Sequence, residues 1–567
     1  MNASSLILTA EQIAADIGVF ADVGTEAPSI ENVQGGKVVR FTRNGEATEI
    51  AVASKNNVLI EKYGSETAKH ANFKALLASD RFGGLREWAT KQLAYISQEL
   101  SSTGDLLEIY GTLNGGIDGT GIAAVDQLLA ASQANDSTRI LLIDGPAGIG
   151  KTQFILSLTE RRVRRYLSER RPLILHIQSR GRTLSYLYDL IAFSLQRLRV
   201  GVTFDQVPIL AKYGLITIAI DGFDELADPD GYDLAWSQVS DLIQLLRGSG
   251  SLILAGRETF IGRDRVLKDI ASLRDGIDEV SVLTLQPPTK TAAINWLQNE
   301  GWTNHQVGLI EGFLEPSSLA LRPFFLKTLS DPSVAALLSS TSATSVLSIL
   351  MQAMIEREVD KFGEAVDREL TRVERRAYLH TFVGEVARDI AESGTSSISD
   401  ATLSWLVEAS LPWPISENIL RILKARSQFI AFFTNDDRTG YRRFFHEKFY
   451  EYFLAEVLVD TVGRAETGKL LGRSIFGSSL LETFGEVISS VTRTDQLKLF
   501  LVQALRLIQE YPPIDRTRKN LAALAIASLS TADVIAEFQV SAVEVDECRF
   551  TWHRFWRSFG VFAYQPA

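Results

Sequence analysis

The segment Gly145-Pro146-Ala147-Gly148-Ile149-Gly150-Lys151-Thr152 has the spacing G-x-x-x-x-G-K-T. Glycines so placed let successive backbone N–H groups curl around a phosphate, and the helix that follows adds the positive end of its dipole. Lys151 then has the reach for β- and γ-phosphates, and the Thr152 hydroxyl suits Mg²⁺. ATP or ADP with Mg²⁺ is the ligand set this chemistry implies. A glycine-rich turn before a buried helix would explain neither the lysine nor the threonine.

Further along, the apolar run Leu215–Ile220 ends in Asp221-Gly222-Phe223-Asp224-Glu225-Leu226. Open α/β sheets bind ligands beyond the carboxyl ends of their strands. Asp221 is therefore expected to complete the Mg²⁺ shell and Glu225 to orient or deprotonate a water, with Asp224 competing for either role. A polar turn capping the next helix is the alternative. The next apolar run, Leu252–Ala255, finishes in Gly256-Arg257-Glu258. An arginine at that strand tip is placed to feel a γ-phosphate; an ion pair with Glu258 competes.

These residues need a scaffold, and the sequence indicates one. Short apolar runs at Ile140–Ile143, Leu173–Ile177, Ile216–Ile220, Leu252–Ala255 and Val280–Leu283 alternate with helical stretches. Continuous apolar strands of this kind belong to a parallel sheet covered on both faces. We expect a doubly wound α/β P-loop core over 139–288. Before it, 1–110 reads as a small α+β module, with hairpin-like Lys37–Phe41 and Glu49–Val52 and a helix through Leu85–Leu100. The glycine- and threonine-rich stretch from Gly111 to Gly121 opens an expected linker over 111–138.

After Pro287-Pro288 the strand signals fade into amphipathic helix, as in Val346–Phe362 and Arg375–Ile390. A helical domain over 289–340 and a winged-helix domain over 341–467 are expected. The second rests on a hairpin formed by Phe429–Phe433 and Tyr441–Phe445 around Asn435–Gly440. The rest, 468–567, is expected to be mostly helical, with Val543–Phe550 left unassigned.

With 46% hydrophobic and 22% charged residues, the chain has the composition of a folded protein. Its net charge of −11 gives no general attraction to nucleic acid or anionic lipid. The densest basic run, Arg161, Arg162, Arg164, Arg165, Arg170 and Arg171, is either a solvated helix face or a contact for nucleic acid or an acidic partner. A single cysteine, Cys548, excludes an intrachain disulfide and a cysteine-based zinc site within one chain. Neither a secretory leader nor a membrane span is indicated, and a cytoplasmic location is expected.

The phosphate loop, DGFDEL at 221–226 and LILAGRE at 252–258 together resemble the NACHT clade of STAND signal-transducing ATPases. That group includes animal NOD-like receptors and bacterial defence proteins. Two more segments match. Leu321-Arg322-Pro323-Phe324-Phe325-Leu326 resembles the motif whose proline packs by adenine, and Phe445-His446-Glu447-Lys448-Phe449-Tyr450-Glu451-Tyr452-Phe453-Leu454-Ala455 resembles the winged-helix motif F-H-x-x-F-x-E-Y-F-x-A. The likeness runs from Arg139 to Val459. One departure is that Ala255-Gly256 stands where a hydroxyl-rich pair is usual.

The resemblance implies that Pro323 and His446 contact the nucleotide, His446 through the ADP phosphate in a closed resting form. It implies a weak, regulatory ATPase that exchanges ADP for ATP, opens and forms a homo-oligomer. A bacterial anti-phage sensor, triggered by a phage protein or nucleic acid, is the expectation that follows. The alternative is an AAA-type motor remodelling nucleic acid or protein. The N-terminal module is expected to be an adaptor or effector; Glu49, Lys55, Glu61 and Lys62 match no nuclease motif. His446-Glu447 is not a zinc-protease site, because Tyr450 stands where its second histidine would be. His70, His176 and His380 show no metal-binding spacing and are expected to be structural.

Overall fold

The alternating residues near the start of the chain pair as an antiparallel meander of β1 (Ser29–Val33), β2 (Gly36–Arg43), β3 (Glu46–Ala53), β4 (Leu59–Tyr63) and β5 (Glu66–His70). Asn44 and Gly45 make the turn between β2 and β3 with φ of 50° and 76°, the double positive φ that matches strand twist. The register Lys37↔Val52 to Arg40↔Glu49 is that of the expected hairpin. The computed structural model describes residues 8–531 apart from 35, 54–57, 102–107, 131–136, 147, 179–186, 224–232, 257–269, 271, 275, 316–317, 332–333, 335–345, 412, 437 and 489–493. Two compact units make up the chain, Met1–Pro288 and Thr289–Ala567.

In the first unit α1 (Ala10–Ile17), α2 (Phe73–Leu77) and α3 (Leu85–Ser101) join the meander to a seven-stranded sheet. That sheet contains β6 (Tyr110–Leu113), β7 (Ile117–Thr120), β8 (Arg139–Asp144), β9 (Leu173–Gln178), β10 (Ile216–Asp221), β11 (Ser251–Ala255) and β12 (Glu279–Gln286), in the order β7-β6-β12-β8-β11-β10-β9. The five strands from β12 to β9 are mutually parallel. All five apolar runs of the sequence thus become its parallel strands, a doubly wound α/β arrangement with α5 (Lys151–Glu169) following β8. α6 (Leu187–Leu198) and α7 (Val207–Lys212) follow β9, and α8 (Asp233–Leu245) follows β10.

Two expectations are corrected in this unit. The segment read as a linker supplies β6, β7 and α4 (Ile122–Ala130), and β6 pairs antiparallel with β12 from Leu113↔Leu283 to Tyr110↔Gln286. Its glycines serve the turn at Asn114-Gly115, while the pairing partner is far away in sequence and leaves no local trace. The residues before it share the compact unit: Gln92 Nε2 donates to Ile174 O at 2.6 Å, and Lys212 Nζ meets Asp16 Oδ2 at 2.8 Å.

The basic run is the second correction, since it is not a uniformly solvated face. Asp126 on α4 is fully buried and gathers Arg161 at 3.2 Å, Arg165 at 3.0 Å, Arg171 at 3.4 Å and the equally buried Arg162. Burial, together with Arg171 and Arg165, pushes the Arg162 guanidinium down from its ordinary range, and Asp126 opposes them. Arg164, ion-paired to Glu160 across one helical turn, and Arg170 at the C-cap of α5 are the exposed members of the run.

The second unit opens with α9 (Lys290–Asn299), α10 (Asn304–Ile310), α11 (Pro323–Ser330), α12 (Val346–Val359) and α13 (Glu364–Glu369). Next come α14 (Arg372–Ser393), β13 (Ile398–Ser399), α15 (Asp400–Ala409), α16 (Glu417–Ser427), β14 (Phe433–Asn435) and β15 (Tyr441–Phe444). Helix, strand, two helices and a hairpin, with the sheet order β13-β15-β14, is the winged-helix arrangement. The first hairpin strand covers Phe433–Asn435 and not Phe429–Phe433. The preceding Ile430, Ala431 and Phe432 turn into the core, and Phe432 meets Phe449 and Phe453 edge-on, both at 5.1 Å. α17 (Glu447–Gly463), α18 (Gly468–Arg473), α19 (Ser478–Ile488), α20 (Thr494–Glu510) and α21 (Arg516–Thr531) complete the unit. The Val543–Phe550 stretch lies outside the described residues. Among the described residues no helix is long and apolar enough to cross a membrane.

Removing one partner of a buried ion pair strands the other charge, at a cost of about 3–5 kcal/mol. Asp126→Ala strands several arginines and is expected to destabilise the first unit by about that much in urea unfolding followed by tryptophan fluorescence. Arg164→Ala should change stability by less than about 0.5 kcal/mol.

Candidate nucleotide site

β8 is buried along its whole length and delivers the chain to Gly145, where the loop begins. Gly145, Gly148 and Gly150 have φ of 143°, 80° and 101°. A Cβ at Gly145 would stand 3.1 Å from Ile149 Cγ2, so the first turn of the loop admits no larger residue without a shift. Ile149 pins the loop from below, packed with Phe154, Ile155 and Leu158 of α5 and with Leu141, Ile143, Ala219 and Ala255 of the sheet. Lys151 opens α5, and its Nζ donates to Gly145 O at 2.6 Å and Pro146 O at 3.2 Å. Thr152 is exposed in the same first turn. Loop N–H groups, ammonium and hydroxyl are thus gathered at one helix N-terminus, the arrangement a phosphate requires. Ala147 lies outside the described residues.

Asp221 is the last residue of β10. Ala255, which ends β11, is in register with both Ile143 of β8 and Asp221 of β10. The three strands therefore finish within one residue of the same level, and the carboxylate stands two strand spacings from the loop, about 9–10 Å between strand axes. Arg257 follows the end of the strand between them; it lies outside the described residues with Asp224 and Glu225, so their roles remain proposals. Asp221 Oδ2 accepts a hydrogen bond from His176 Nε2 at 3.2 Å, and both side chains are 7% exposed. Among the described residues no three His, Cys, Asp or Glu side chains form a metal cluster. A single strand-end carboxylate such as Asp221 beside a phosphate loop is a donor that suits Mg²⁺, which takes one or two carboxylates and relies on phosphates and water for the rest.

In the second unit, Pro323 occupies the first turn of α11 behind Arg322, the N-cap residue. The Arg322 guanidinium lies 4.8 Å from the centre of the Phe445 ring, so the segment holding Pro323 touches the segment holding His446. Arg357 stacks on Phe324 at 5.1 Å. Burial, and then the neighbouring Arg357, lowers Arg322 to about 10, which leaves it cationic at neutral pH. His446 caps α17: its Nδ1 accepts from Lys448 N at 3.1 Å. A ring accepting at Nδ1 is neutral and carries its proton on Nε2, which makes Nε2 a donor. The glutamate of the same motif, Glu451, accepts from Lys448 Nζ at 2.8 Å and Thr483 Oγ1 at 3.0 Å and ties α17 to α19. From the sequence His176 is expected to be structural and Arg322 is only a member of the motif around Pro323; neither is assigned to the site. No motif marks the first, and the second reads as the residue before a proline.

No protein-family model matches the sequence, and no curated protein matches it. Solved structures with partial likeness include the Aeropyrum pernix ORC2 protein in its ADPNP–ADP complexes, at 12% identity and a TM-score of 0.29, over 57% of this chain and 88% of that one. The Walker-type ATPase of Pyrococcus abyssi is similar at 12% identity and a TM-score of 0.30, over 55% and 89% of the two chains. Drosophila ORC bound to DNA follows at 14% identity and 0.27, over 59% and 85%. Likenesses of that size carry no argument about activity. The class rests on the chain's own geometry: the strand order, the glycine loop at the start of α5 and the carboxylate ending β10 define a P-loop nucleoside-triphosphatase fold.

Lys151→Ala removes the only ammonium on the loop motif. Its expected effect is a loss of at least about 3 kcal/mol, roughly a hundredfold or more in nucleotide affinity, by fluorescent-ADP titration. Unchanged affinity would show that the loop does not hold phosphate.

Proposed function

We propose that this chain is an ATP/ADP-controlled switch of the NACHT/STAND class acting in bacterial anti-phage defence. The contact of Arg322 with Phe445 supports this reading most, because it links the segment of Pro323 to that of His446. Pro323 packs by adenine, and His446, with Nδ1 committed to its helix cap, offers the Nε2 proton to a phosphate oxygen of ADP. The cationic Arg322 and Arg357 make the neighbourhood of that histidine favourable to an anion.

In this reading Lys151 and the loop N–H groups grip the phosphates, while Thr152 and Asp221 hold Mg²⁺. The ion supplies charge neutralisation at the β- and γ-phosphates. Glu225, with Asp224 as the competing carboxylate, orients the attacking water and accepts its proton, and Arg257 faces the γ-phosphate. Hydrolysis is slow and serves to reset the switch. Exchange of ADP for ATP removes the His446 contact and shifts the population toward an open form that assembles as a homo-oligomer. Residues 1–110 act as adaptor or effector and 468–567 as the sensor of a phage protein or nucleic acid, in the cytoplasm.

An AAA-type motor remodelling nucleic acid or protein is the other reading. A motor has no use for a histidine that distinguishes ADP from ATP, and its basal turnover would exceed about one per second without a trigger. Such turnover in the purified protein would sink the switch.

His446→Ala removes one hydrogen bond to a charged group, worth about 1.5–3 kcal/mol, and should favour the open form roughly ten- to hundredfold. Light scattering of the ADP-loaded variant is expected to detect oligomer where the wild type is monomeric. A monomer identical to wild type would count against His446 as the latch.

A further inference from the structure

The geometry points to His176 as a positioning residue for the Mg²⁺ carboxylate, a role that rests on the reading of Asp221 given above. Side chains two apart on a strand share a face. Ile174 and Ala219 belong to the cluster under α5, so His176 and Asp221 continue that same face toward the carboxyl ends of β9 and β10. His176 is in register with Ala219, and Gln178 with Asp221. The small methyl of Ala219 leaves the imidazole room to lean along the strand and reach the carboxylate diagonally, at 3.2 Å from Nε2 to Oδ2.

A carboxylate accepts only, so Nε2 carries the proton and donates it. One oxygen of Asp221 is thereby fixed, and the carboxylate is held in one rotamer with its remaining lone pairs left for the ion or its waters. A free Asp221 would have to be ordered each time the metal binds; the imidazole orders it beforehand. Hydrogen-bonding partners of metal ligands contribute about 10–100-fold in metal affinity in general, and this donor is itself only 7% exposed.

The test uses the full-length protein, with fluorescent ADP as the probe and Mg²⁺ as the titrant, against an EDTA baseline. His176→Leu is expected to raise the Mg²⁺ midpoint about 10–100-fold while ADP affinity in EDTA stays within about twofold of wild type. His176→Asn, whose amide is too short to reach Oδ2, should behave in the same way and carries the test if the leucine variant does not fold. His176→Gln, which keeps a donor near the Nε2 position, should restore the midpoint to within a few-fold. Asp221→Asn separates the two ideas. If it shifts the midpoint and the leucine and asparagine variants do not, the positioning role is wrong and the site stands. If Asp221→Asn leaves the midpoint unmoved, the metal assignment fails and the role of His176 fails with it. Equal losses with and without Mg²⁺ in the His176 variants would mark the residue as merely structural and also overturn the proposal.

Discussion

Everything at the phosphate loop depends on burying one face of α5. A loop that turns its N–H groups toward a ligand leaves few bonds to hold itself, so its two ends must be fixed by something else. β8 fixes one end as the middle strand of the seven-stranded sheet. Phe154, Ile155 and Leu158, all fully buried, fix the other. Burial of each such side chain is worth about 1.5–3 kcal/mol, more than the few tenths to one that a glycine costs in a constrained turn. Ile149 joins the same cluster from within the loop. The core thus reaches into the site, and a truncation at Phe154 would disturb phosphate binding without touching phosphate.

The same sheet sets where the carboxylate stands relative to the loop. Parallel pairing sets Ile143, Ala255 and Asp221 at one level, so residues far apart in sequence emerge along one edge. β11, inserted between β8 and β10, widens the gap by one strand.

Much of this was legible in the residues. Strands buried on both faces read as unbroken apolar runs, and all five were found; the phosphate loop announces itself by glycines whose φ angles, once seen, explain their positions. Pairing over long separations was not legible. β6 finds β12 across the whole parallel sheet's sequence, and the glycines at its turn read as a linker. The arginine run was readable as charge but not as structure, because its organiser, Asp126, sits on α4 ahead of the loop. Phe429–Phe433 failed in a smaller way: aromatic residues suit a strand and a core turn equally, and here most of them fill the core. Asp224, Glu225 and Arg257 were read from pattern alone and still stand on it.

Three histidines show how little a side chain's type decides by itself. His70 meets Glu61 at 2.8 Å, with Arg81 at 3.4 Å from the other oxygen; His380 meets Glu456; His176 meets Asp221. Each is an imidazole beside a buried carboxylate, and sequence spacing treats the three alike. The first pair joins adjacent strands of the meander, and the second ties α14 to α17 near the middle of both helices. Each lies inside a packed module, where a hydrogen bond does no more than satisfy a buried acid. Only in the third is the carboxylate itself the last residue of a strand. At that position the bond also determines how the acid meets whatever binds beyond the sheet. Location along the strand, and not the chemistry of the pair, separates a core contact from a functional one.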